Sequence, residues 1–75
     1  MSQRLPRVTA DEAIHVIKQF DFQQVRQSGS HKIFRNPRGI RMTIPYHKGK
    51  TLHPKLVKAI ARDLGISAEE FLELL

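Results

Sequence analysis

Apolar positions recur along the chain with two different periods. Ala13, Ile14, Ile17 and Phe20 are spaced by one, three and three residues, which places them on one face of a helix. Thr9 precedes this stripe and Glu12 follows three residues later, the pattern of a capping box. Asp11 and Glu12 also suit the positive end of a helix dipole. The spacing predicts a helix over 9–20, preceded by a short, loosely held basic arm over 1–8. From Phe22 the period shortens. Phe22 to Gln27, centred on Val25, reads as a strand, Ser28-Gly29 as a break, and His31 to Arg35 as a second strand. Asn36-Pro37-Arg38-Gly39 is a strong turn signal. Ile40, Met42 and Ile44 alternate with Arg41 and Thr43, so the third strand has one buried and one wet face, and Pro45 ends it.

Beyond Pro45 the helical period returns. Tyr46 to Leu52 is a loop, and Pro54 suits the first turn of a helix. The apolar face of that helix is Leu56, Val57, Ile60 and Leu64, while Lys55, Lys58 and Arg62 line another face. Gly65 stops it, with Ile66 placed to pack back over the end. Ser67 and Glu70 form a second capping box for a short last helix, Ala68 to Leu75, in which Phe71, Leu72 and Leu75 seal the core. The order is α-β-β-β-α with a short C-terminal helix, an α+β fold read as one domain over 1–75. Only one face of each strand is apolar, so both main helices are expected on the same side of the sheet. This is the layout of a double-stranded-RNA-binding domain, although topology alone assigns no function.

Charge narrows the partner. The chain has 75 residues, a net charge of +6 and no cysteine. No disulfide or thiolate zinc site supports so small a core, which fits a reducing cytoplasm. No apolar run approaches the roughly 20 residues that span a bilayer, and no secretory-signal pattern opens the chain, so a membrane partner is not expected. Residues 22–62, between Asp21 and Asp63, hold ten basic residues and no acid. That polarity points to a polyanion, above all nucleic acid, because each neutralised phosphate releases counterions.

The chemistry centres on His31, which follows a Gly-Ser turn inside this acid-free block. Imidazole exchanges a proton near neutral pH, with an ordinary pKa of about 6.5. RNA carries its own nucleophile. A base removes the 2′-hydroxyl proton, the oxygen attacks the adjacent phosphorus, and the strand breaks to a cyclic phosphate and a 5′-hydroxyl. The reaction requires a base, a cation for the developing phosphorane and in-line geometry. It requires no metal and no small-molecule cofactor. His31 is the candidate base or acid. Lys32, Lys48 and Lys50 are candidate phosphate contacts, Lys55 and Lys58 candidate guides for the backbone, and Ser30 a candidate positioning group. The bland alternative is a strand histidine hydrogen-bonded to backbone. Strand parity leaves its facing open, because Ile33 shares its face and Phe34 lies opposite.

His15 reads as a surface residue of the first helix. His47 and His53 flank the lysine loop, where they can contact phosphate or help with protonation. Four histidines without cysteine show no zinc-ligand spacing. Gly49 between Lys48 and Lys50 permits close backbone approach to a phosphate but makes no P-loop. Tyr46 is the one aromatic side chain expected to be available for stacking on a base.

The runs RQSGSHKIF, TIPYHKGKTL and LGISAEEFLELL resemble the HicA family of toxins, over about Arg4 to Leu75. The most specific part is Gly29-Ser30-His31 followed by Pro45, His47, Gly49 and Lys50. The resemblance implies a small mRNA interferase with the double-stranded-RNA-binding-domain fold, His31 as its catalytic residue, and a HicB antitoxin that covers the toxin and masks the histidine. Two departures stand out: Asp21 where the family often has Gly, and the bulky His53-Pro54-Lys55-Leu56 leading into the second helix. Two other classes compete with the enzyme. One is a non-catalytic RNA-binding module using the same basic face, and the other is a protein-interaction domain whose basic face docks an acidic partner.

Overall fold

The computed structural model describes residues 7–75. The start of the expected basic arm, residues 1–6, lies outside the described residues. The end of that arm is not loosely held. Val8 is fully buried, its carbonyl accepts from the Leu52 N–H at 2.6 Å, and Thr9 bridges to Thr51.

Helix α1 spans Ala10–Lys18, and the Thr9–Glu12 capping box forms in both directions. It buries Ala10, Ala13, Val16 and Ile17. Its C-terminal end closes through two bonds, Phe22 N–H to Ile17 C=O at 3.3 Å and Asp21 N–H to Lys18 C=O at 3.1 Å. This is the Schellman pattern, which requires a left-handed residue between the two, and Asp21 supplies it at φ 67°. An L side chain is strained at this position.

Three antiparallel strands follow: β1 Gln23–Ser28, β2 His31–Arg35 and β3 Arg41–Pro45, in the order β1-β2-β3. Phe34 of β2 and Met42 and Ile44 of β3 point to the buried side. The β1 strand departs from expectation. A bulge between Gln24 and Arg26 leaves Val25 unpaired and 56% exposed, so it is not a core residue. Ile40 also falls outside β3 and is exposed. The turn before it is built by Asn36, whose buried side-chain oxygen accepts from the Arg38 and Ile40 N–H groups at 3.1 and 2.9 Å.

Helix α2 spans Pro54–Leu64 and ends as expected at Gly65, φ 78°. Its Schellman bonds run from Ile66 N–H to Ala61 C=O and from Gly65 N–H to Arg62 C=O, both 3.0 Å. Helix α3, Ala68–Glu73, is opened by the Ser67–Glu70 capping box and stops short of Leu75. Phe71 enters the core and Leu72 packs against it, but Leu75 is exposed and Leu74 packs in its place. Once the helix ends, the following residue turns away. The Gln19 side-chain amide, donating to the Leu74 carbonyl at 3.0 Å, holds this end against α1. The arrangement is the α+β, α-β-β-β-α order with an added short helix, and the core lies between the helices and one face of the sheet.

Candidate nucleic-acid interface around His31

The hairpin between β1 and β2 decides where His31 sits. Ser28 pairs with His31, so only Gly29 and Ser30 lie in the turn. Gly29 stands at φ 58° while Ser30 has negative φ, the signature of a type II′ turn with glycine at its first central position. On its other side His31 pairs with Pro45. Proline has no N–H, so this must be a non-hydrogen-bonded pair, and the flanking Tyr46 N–H donates to the Ser30 carbonyl at 2.6 Å. Such pairs bring facing residues closest, with Cα atoms about 4.5 Å apart. His31 is therefore flanked by a glycine turn, Ser28 and Pro45, and it is exposed to solvent.

Strand alternation fixes its facing. Phe34 is fully buried, so Lys32 shares the helix-covered face, and His31, Ile33 and Arg35 share the open one. His31 and Lys32, adjacent in sequence, thus point to opposite faces of the sheet. The Lys32 ammonium lies 3.8 Å from the centre of the Tyr46 ring, a cation–π contact on the opposite face from His31. Tyr46 is not a free stacking platform. It is half-buried, Lys32 covers one side of its ring, and its hydroxyl donates to the Asp11 carboxylate at 3.1 Å. That hydrogen bond, with burial and the carboxylate's charge behind it, holds the phenol above its ordinary pKa of 10.0.

The loop after β3 carries Lys48 and Lys50 to the same end of the sheet. His47 to Lys50 form a turn closed by the Lys50 N–H and His47 C=O at 3.0 Å, with Gly49 at φ 80°, as a type II turn demands. Both lysines are exposed. A shallow cleft of about 150 Å³ opens between this loop and α2, lined by Pro45, His47, Lys50, Leu52, His53 and Leu56. Pro45, the ladder partner of His31, forms part of its wall. Lys55 and Lys58 are exposed on α2, in the helical layer. Ser30, His31, Lys48 and Lys50 are thus gathered at one end of the sheet; Lys32, Lys55 and Lys58 are not on the His31 face.

His53 has a structural task that its sequence context did not reveal. It is the N-cap of α2, its Nδ1 accepting the Lys55 N–H at 3.0 Å. That nitrogen is committed to the helix end and is not available to a phosphate. His15 is exposed, as expected of a surface residue. Among the described residues no three histidine, aspartate or glutamate side chains gather where they could hold a metal ion, and no helix is long and apolar enough to cross a membrane. The residues missed from sequence are arginines. Arg35 lies on the His31 face, Arg41 is paired with Arg35, and Arg26 is paired with Ile33. Counting by twos from His31 finds Arg35 directly, once the facing of the strand is known.

Comparison with known families gives one match. A family model described as the HicA toxin of bacterial toxin–antitoxin systems matches residues 10–66, a span that runs from α1 through the sheet and α2. No curated protein matches the chain.

Proposed function

Because the chain belongs to the HicA toxin family, toxins that act in bacterial toxin–antitoxin systems opposite a cognate antitoxin, we propose that it is an endoribonuclease cleaving messenger RNA in the cytoplasm, with His31 as the proton-transfer group. A HicB-type antitoxin is its proposed inhibitor. The observation that carries this reading is the placement of His31: an exposed imidazole at a strand end, braced by a two-residue hairpin and by Pro45. In the proposed reaction His31 accepts the 2′-hydroxyl proton. The 2′-oxygen bonds to the adjacent phosphorus, the bond to the 5′-oxygen breaks, and that oxygen takes up a proton from water, to which His31 then returns the proton it accepted. The products are a 2′,3′-cyclic phosphate and a 5′-hydroxyl. Lys48 and Lys50 supply positive charge at that end of the sheet for the phosphorane, Ser30 positions the turn, and Lys55 and Lys58 guide more distant backbone. Lys32 acts at one remove, through Tyr46.

The test is incubation of purified protein with RNA in EDTA, wild type beside His31→Ala. Wild type is expected to cut, leaving cyclic-phosphate ends. The variant is expected to lose cleavage by about a hundredfold or more while keeping its circular dichroism spectrum. Cleavage by the folded variant at the wild-type rate would falsify the assignment. One observation favours a second reading, a non-catalytic RNA-binding module: the ladder partners of His31, Ser28 and Pro45, carry no titratable side chain to share the proton transfer. That reading predicts salt-sensitive binding with RNA left intact.

A further inference from the structure

Arg35 and Arg41 face each other directly across β2 and β3. Their parity with His31 and Pro45 makes this another non-hydrogen-bonded pair, the closest side-chain register in an antiparallel ladder. Like charges placed so are destabilising. Both side chains are exposed, and Asp21 lines a shallow cleft with Arg35. Arg26, opposite Ile33, adds a third cation one row nearer His31. The helices cover the other face of the sheet, so this face is open, and the rows between its two ends hold Ile33 and Thr43 rather than aromatic rings. A surface of this kind grips phosphates and does not stack bases. The planar guanidinium fork matches phosphate oxygens two at a time.

We infer that the open face of the sheet is a phosphate-binding subsite for single-stranded RNA, in which Arg35 and Arg41, with Arg26 beside them, hold the backbone away from the His31 end. This rests on the proposed RNA substrate and adds a path for it. Arg35 lies four steps along the strand from His31, about 13 Å at about 3.3 Å per residue. The RNA strand would therefore run over the sheet, along β2, rather than over the helical layer that carries Lys55 and Lys58.

The experiment measures binding of a short fluorescent single-stranded RNA by anisotropy across a salt series, with His31→Ala present in every protein so that cleavage cannot intervene. Arg35→Gln with Arg41→Gln is compared with Arg35→Lys with Arg41→Lys, the charge-keeping pair. The Gln pair is expected to bind at least tenfold more weakly and to lower the slope of log K against log salt by about 1.4, two contacts at about 0.7 each. The Lys pair is expected to keep the slope and lose less affinity. Should the Gln pair unfold, Arg41→Gln alone reads the same change at half size. Unchanged affinity and slope in the Gln pair overturn the inference. So does unchanged RNA binding with lost binding of the antitoxin, which would make the face a protein-docking surface. Loss of RNA affinity together with a wild type that never cuts RNA supports the subsite while removing the catalytic reading, so the two fail separately.

Discussion

The Tyr46 hydroxyl donates to the Asp11 carboxylate across 3.1 Å, joining the loop after β3 to the first turn of α1. The same residue's N–H holds the Ser30 carbonyl, and its ring meets the Lys32 ammonium. One tyrosine therefore ties the hairpin turn before His31 to the helical layer. Tyr46→Phe is expected to lower the melting temperature at neutral pH. The hydrogen bond raises the folded phenol's pKa above its unfolded value of 10.0. Its contribution is therefore fully present below about pH 10 and is lost as pH rises through the higher folded value. Melts of wild type and variant should converge as pH climbs above 10. A gap that stays constant into that range would show that the hydroxyl is not what the variant lost.

The two Schellman ends make opposite predictions. Asp21 and Gly65 hold equivalent positions, at φ 67° and 78°, after α1 and α2. An L residue in the left-handed region costs roughly 1–2 kcal/mol, somewhat less for aspartate. Asp21→Gly is expected to stabilise the fold by about 1 kcal/mol, and Gly65→Ala to destabilise it by about as much. A methyl group at Gly65 meets no atom within 4 Å, so that cost is backbone strain alone. Urea unfolding of both variants checks this; equal signs for the two would contradict it.

His53 tests whether a histidine beside a lysine loop serves substrate or fold. With its Nδ1 capping α2, His53→Ala should cost about 1 kcal/mol, and His53→Asn, which restores an acceptor, should recover most of it. If instead His53 held a phosphate, both variants would weaken RNA binding alike and stability would hardly move. Thermal melts and RNA affinity measured side by side separate these outcomes.

The legible parts of the fold are those set by local rules. Thr9–Glu12, Ser67–Glu70 and Gly65 mark helix ends in the sequence, and the structure uses all of them. The parts that were not legible depend on contacts between distant residues. Val25 looks like a strand centre until the bulge at Gln24–Arg26 turns it outward. The facing of His31 was ambiguous because Ile33 and Phe34 are both apolar, and only the packing of Phe34 at 0% exposure decides between them. Once that is decided, Lys32 leaves the His31 face and Arg35 joins it. The engagement of Tyr46 is hidden in the sequence for the same reason, since Asp11 lies far off in sequence and adjacent in space.

Gly29 offers the sharpest link between fold and site. Its φ of 58° lets Ser28 and His31 pair across only two residues, and a Cβ added there would touch nothing within 4 Å. Gly29→Ala therefore costs strain without a clash, about 1 kcal/mol. The chain can relieve that strain by opening the turn, which moves the first residue of β2, and that residue is His31. The expected result is a folded protein whose RNA cleavage falls far more than its stability, through kcat rather than KM, because the arginine face is untouched. A Gly29→Ala protein equally destabilised but cutting at the wild-type rate would mean that the hairpin does not set the position of the imidazole.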